Sequence, residues 1–174
     1  MSLRTPVTPT EDNDREGPHS ANPIAVMPVC LGSLGIILGQ GDNLVPTVAR
    51  AQAQQLSPTA LAYLGDAVYE LFIRHYYLLP PKRIQDYHQA VVAQVRAEAQ
   101  AQHLQQLEAH LTDMEKTIVR RGRNATGRRS RSVDPEIYQQ ATSLEALIGY
   151  LYLTSPQRLS HLLSLLALEL PHVN

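Results

Sequence analysis

From Leu56 onward, proline repeatedly follows a short oxygen-bearing side chain, at Ser57-Pro58, Asp134-Pro135 and Ser155-Pro156. Ser and Asp accept hydrogen bonds from the free N–H groups of a helix's first turn. Proline is tolerated there because its missing N–H would have had no partner. Each dipeptide therefore reads as a helix start. Thr112 with Glu115 adds a fourth start, a reciprocal capping box. Pro80-Pro81 and Pro171 act as stops. Between these marks apolar residues recur at helical spacing, and Val and Ile never alternate over a strand's length, so the fold class is all-α. The pattern predicts helices from Pro58 to about Leu79 and from Lys82 to Leu111, the latter bent near Tyr87. A short helix from Thr112 to about Arg121 and a loop from Gly122 to Val133 follow. Two further helices end near Leu153 and Leu170.

Residues 1–55 read differently. They hold 6 of the 12 prolines and 5 of the 9 glycines and show no sustained period, so a variable, largely irregular extension is expected there. Thr5 to Asn22 is polar and reads as disordered, and Met27 is an alternative start. The apolar run from Ile24 to Leu38 is broken by Pro28, Gly32 and Gly35 and is too short for a membrane span. It also lacks the basic flank and clean small-x-small site of a cleaved signal.

The whole chain is almost neutral, with 15 Lys and Arg against 16 Asp and Glu. Charged residues are 18% and hydrophobic residues 44%, which excludes wholesale disorder and bulk attraction to nucleic acid. A single Cys excludes a disulfide scaffold or a multi-Cys zinc module and points to a reducing compartment. The charge is unevenly placed. Lys116 to Arg131 carries +7 in sixteen residues, while the rest of the 56–174 stretch is net −6. Such a segment is the footprint of an anion-binding loop; it can also be a solvated charge run or a loop for an acidic protein.

No glycine-rich phosphate loop, HExxH, His-Asp dipeptide or Cys pair is present, and the seven His are scattered. Carboxylates remain. Asp66 lies inside the first apolar helix and Glu145 inside the one that starts at Asp134-Pro135, flanking a stripe of Ile137, Ala141, Leu144, Ile148 and Leu151. A carboxylate so placed loses hydration and needs a partner. Gly65 and Gly149 beside them would let two helices approach closely. A single acid of this kind is readily capped by an Arg or a hydroxyl. Two of them, on glycine-bearing helices in a chain with an arginine segment, point to a shared divalent cation.

The segment LAYLGDAVYEL, Leu61 to Leu71, resembles the signature helix of the ribonuclease III family. ATSLEALIGYLYL, Ala141 to Leu153, resembles that family's second acidic helix. VRRGRNATGRRSRS, Val119 to Ser132, resembles the basic loop of its small Mini-ribonuclease III branch. The likeness covers about residues 56–170 and makes 56–174 a ribonuclease III-like catalytic domain. It implies a cytoplasmic homodimer that cleaves double-stranded RNA with Mg²⁺, ribosomal RNA precursors being the characteristic substrate class.

By position, Asp66 and Glu145 match the acids that bind the catalytic metal. Arg120, Arg121, Arg123, Asn124, Arg128 and Arg129 fall in the basic loop and are the expected RNA contacts. The family mechanism implies a metal-activated water and products with 5′-phosphate and 3′-hydroxyl ends. Glu70, one turn from Asp66, reads as a solvated or interface acid that could also hold an outer water. Larger family members carry two more metal-associated acids, at the positions that Ala62 and Thr142 occupy here, a departure that agrees with the small branch. Too few residues follow Leu170 for an appended RNA-binding domain, so the basic loop is expected to substitute for one. Dimer contacts are expected from surplus apolar surface that includes Tyr69, Phe72 and Tyr150. The contrasting reading is a catalytically inactive RNA-binding member of the same fold; loss of Asp66 or Glu145 would have favoured it, and both are present.

Overall fold

The computed structural model describes residues 48–125 and 134–168. Within them lie α1 (Arg50–Gln55), α2 (Pro58–Tyr77), α3 (Ile84–Val95), α4 (Ala97–Leu107), a 3-10 turn (Glu108–His110), α5 (Asp113–Ala125), α6 (Pro135–Thr154) and α7 (Pro156–Ser164). The described residues contain no strand, and none of their helices is long and apolar enough to cross a membrane. The segments Thr5–Asn22 and Ile24–Leu38, and the stop at Pro171, lie outside the described residues.

Side-chain caps mark three of the described helix starts, while Ser155, ahead of α7, makes no such bond. The Ser57 hydroxyl accepts from the Ala60 N–H at 3.1 Å, and the Asp134 carboxylate accepts from the Glu136 N–H at 2.8 Å. At α5 the Thr112 N–H donates to Glu115 at 2.8 Å, while the Glu115 N–H donates to the Thr112 hydroxyl at 3.3 Å. Arg158 of α7 then donates to both Glu115 oxygens, at 2.9 and 3.0 Å, pinning the last helix to the start of α5. Burial pushes the Glu115 carboxyl upward, but these Arg158 and Thr112 bonds outweigh it and hold it below the usual glutamate range.

Four expectations are corrected. The stretch from Lys82 to Leu111 breaks at Arg96, whose backbone is extended (φ −69°, ψ 155°), and not near Tyr87. Side chains take over the carbonyls at the end of α3: the Tyr69 hydroxyl donates to Gln94 O and Gln100 Nε2 to Val95 O, each at 3.2 Å. Helix α5 continues past Arg121 to Ala125, because Gly122 is a packing contact and not a stop. A Cβ there would meet Ser143 Cα at 2.9 Å. Helix α7 ends at Ser164, short of Leu170. Finally, the packed body begins before Leu56. Ala53 of α1 is fully buried, and the Val48 N–H donates to Leu153 O at 2.9 Å.

Helix α6 is the axle of the fold and touches α1, α2, α4, α5 and α7. The expected single stripe is too narrow, since Ala141–Leu144 and Ala146–Leu151 are all buried. An apolar helix enclosed on every side is the expected consequence of that many neighbours. Helix α2 buries only one face, through Leu61, Gly65, Tyr69, Phe72, Ile73 and Tyr77. Each large apolar side chain so enclosed contributes about 1.5–3 kcal/mol.

Candidate active site

Helices α2 and α6 meet backbone to backbone. A Cβ added to Gly149 would lie 2.0 Å from the Leu61 carbonyl oxygen, and one added to Gly65 would collide with the carbonyl of Glu145. No larger residue fits either position. The two glycines thereby hold Asp66, on α2, against the segment of α6 that carries Glu145.

The electrostatics record that proximity. Glu145 is half-buried, and its carboxyl is pushed up to about 7, first by burial and then by the negative charge of Asp66. Asp66 is exposed, where the sequence suggested partial burial; its carboxyl is still raised, by local loss of hydration and by Glu70. Glu70 in turn is tied to Arg74, which donates to it from Nε at 3.0 Å. It is a half-buried, paired acid.

The Gln100 side chain, from α4, hydrogen-bonds Glu145 and favours its ionised form. Ala62 and Thr142 are both buried, and no group of three or more His, Cys, Asp and Glu converges among the described residues. Two carboxylates, of which Asp66 raises the proton affinity of Glu145, form an all-oxygen donor set beside a neutral amide. A hard divalent cation fits that set, because it removes the repulsion and accepts few protein ligands.

The basic segment divides. Arg121 is half-buried, and its two terminal nitrogens donate to Gln54 O and Leu56 O, both at 2.9 Å, capping α1. These bonds give it a structural role that the sequence did not suggest and commit two of its five N–H donors. Arg120, Arg123 and Asn124 are exposed on the final turns of α5. Arg123 reaches Glu136 at 3.4 Å, linking the end of α5 to the start of α6. Arg128 and Arg129 lie outside the described residues.

The expected dimer surface is also corrected. Tyr69, Phe72 and Tyr150 are 0%, 8% and 3% exposed and belong to the chain's own core. Tyr69 carries a buried polar link instead, 2.6 Å from His103 Nδ1. Since the Tyr69 hydroxyl donates to Gln94 O, His103 donates from Nδ1, and burial keeps its ring neutral by lowering its pKa. Outward on α2 stand Tyr63, 85% exposed, with Ala67 and Leu71, four residues apart along one face.

Gln100 escaped the sequence reading. The available signal was its spacing: Gln100, His103, Leu104 and Leu107 form a helical stripe, and two polar residues in it are buried.

The profile of the family described as Ribonuclease III domain matches residues 59–156. Mini-ribonuclease 3 of Synechocystis sp. is 61% identical over 130 residues, 75% of this chain and 89% of that protein. That match is longer than the stretch from Leu56 to Asn174, so it reaches back toward α1. Mini-ribonuclease 3 of Thermosynechococcus vestitus is 56% identical over 115 residues, 66% of this chain and 76% of that protein. Among solved structures, a crystal structure of a protein from Fusobacterium nucleatum aligns with a TM-score of 0.54 at 37% identity, covering 57% of this chain and 81% of that one.

Proposed function

The chain belongs to the ribonuclease III family, in the branch named Mini-ribonuclease 3, and from that premise we propose a Mg²⁺-dependent endoribonuclease specific for double-stranded RNA. Its substrate class is structured ribosomal RNA precursor, and it works in the cytoplasm as a homodimer. The observation that carries the reading is the meeting of Asp66 and Glu145 across the Gly65–Gly149 seam, with Glu145 raised to about 7.

Asp66 and Glu145 are the residues that hold the cation. When bound, Mg²⁺ acidifies a water and neutralises charge building on phosphate oxygens. The seam fixes the spacing of the two acids, and the buried surroundings of Glu145 keep bulk water from competing for the site. Arg120, Arg123, Asn124, Arg128 and Arg129 bind phosphates of the duplex, whose deep groove hides its base edges. Tyr63, Ala67 and Leu71 supply the apolar contact between two copies, beside Asp66. A two-fold pair of sites then addresses both strands of a duplex.

The test is cleavage of end-labelled duplex RNA with and without Mg²⁺. Asp66→Asn and Glu145→Gln should each lower cleavage at least about a hundredfold and leave duplex binding measurable, since each keeps its shape and loses anionic ligation. Substantial Mg²⁺-dependent cleavage by both variants would remove these residues from the chemistry.

A further inference from the structure

Among the described residues, one buried side-chain oxygen or nitrogen has no hydrogen-bond partner, and it is Gln100 Oε1. Gln100 is 2% exposed. Orphaned buried acceptors are rare because each forfeits its hydration without compensation. The amide orientation is fixed by its neighbours: Nε2 donates to Val95 O at 3.2 Å, and the Gln100 side chain lowers the proton affinity of Glu145, as a donor does. Turning the amide over would set an oxygen against a carbonyl and a carboxylate, so the acceptor that remains free is Oε1. Oε1 and Nε2 share one planar group, which puts the orphan beside the nitrogen that touches the site. Two carboxylates converge there, and no third His, Cys, Asp or Glu joins them among the described residues.

We propose that Gln100 is a positioning residue of the cation site, supplying a neutral oxygen, directly or through one hydration water, to the divalent cation that Asp66 and Glu145 hold. The same amide holds the end of α3 through Val95 O and favours the ionised form of Glu145. This inference rests on the metal-dependent reading above and adds to it the residue that completes the donor set. A neutral oxygen adds coordination without adding repulsion to two acids that already oppose each other.

The experiment is Mn²⁺ binding to the full chain, read by electron paramagnetic resonance without RNA, with Tm measured in a chelator. Mn²⁺ shares the oxygen preference of Mg²⁺. Gln100→Met and Gln100→Glu both lose the N–H donors, and only the second keeps oxygen. Gln100→Met should weaken Mn²⁺ binding about tenfold, and Gln100→Glu should stay within about threefold of the unmodified chain or bind more tightly. Unchanged affinity in folded Gln100→Met, or equal losses in both variants, overturns the proposal. Should Gln100→Met fail to fold, Gln100→Glu decides alone: binding weaker than the unmodified chain by more than about threefold overturns it, and binding within that margin or tighter supports it. Asp66→Asn separates the two readings. If the unmodified chain binds Mn²⁺ and Asp66→Asn does not, the site stands whatever Gln100 does; if the unmodified chain binds none, both readings fall.

Discussion

The Cβ that Gly65 lacks would stand 1.8 Å from the backbone oxygen of Glu145. One candidate ligand therefore contributes its carbonyl to the very contact that positions the other's helix. Spacing between Asp66 and Glu145 is set by backbone, which is stiffer than any side-chain packing.

Gly65→Ala should accordingly cost at least about 3 kcal/mol, because the methyl meets a carbonyl that cannot rotate away. The comparison is thermal unfolding against Ala67→Gly on the exposed face of α2, where the loss should be only about 1 kcal/mol. Similar Tm values for the two would mean that the helices can part without penalty.

The pH dependence of the metal-free protein follows from Glu145. An ordinary glutamate titrates at 4.5, and this one is pushed to about 7. The folded state holds the extra proton between those values, so this group's contribution is present at low pH and is lost as pH rises to about 7. Allowing for partial solvent access, Glu145→Gln should be more stable than the unmodified chain by about 2 kcal/mol at pH 8 and equal to it at pH 4. Glu115 works in the opposite sense, its depressed carboxyl losing its contribution in acid, and it cancels in this comparison. Mg²⁺ must displace the Glu145 proton, so its affinity should rise about tenfold per pH unit below 7 and level off above. Isothermal titration in chelator-stripped buffers at pH 6 and 8 would show a flat profile if the carboxyl were already ionised.

Arg121 and its neighbours should separate cleanly. Arg121→Ala removes two charge-assisted bonds to Gln54 O and Leu56 O and should cost about 2 kcal/mol in stability, with duplex affinity kept in the protein that remains folded. Replacing Arg120, Arg123, Arg128 and Arg129 with Ala should leave Tm nearly unchanged and weaken duplex binding by orders of magnitude. The slope of log affinity against log salt should fall by roughly 0.9 per phosphate contact removed. If affinity and slope both survive, the duplex is held elsewhere, and Lys82 and Arg83 are the next cations to replace.

Tyr63→Arg should yield monomers. The side chain is 85% exposed in the isolated chain, and a charge at the centre of an apolar contact between copies opposes association strongly. Light scattering at micromolar concentration reads the outcome. A variant that remains dimeric would move the contact away from α2.

Helix starts were legible because a cap is written in neighbouring residues: Ser57 meets Ala60, Thr112 meets Glu115, and Asp134 meets Glu136. The break at Arg96 was not, since no proline or glycine marks it. It is sustained by Tyr69, which reaches Gln94 across 25 residues of sequence. Likewise the two acids and their glycines could be picked out as misfits on apolar helices, whereas Gln100 looked like one glutamine among many.

The sequence by itself determined the all-α class, the capped helix starts at Ser57, Thr112 and Asp134 and the two carboxylates available for chemistry, because each of these depends on residues within a turn of one another. Tertiary structure alone decided what those residues became. Glu145 gained its proton affinity from burial and from Asp66 on another helix, and Arg121 left the basic segment for carbonyls 65 and 67 residues away. Tyr69 and Phe72 turned inward against the core that α6 anchors. Hydration and Coulomb energies depend on distance through space, and only the packed chain sets those distances.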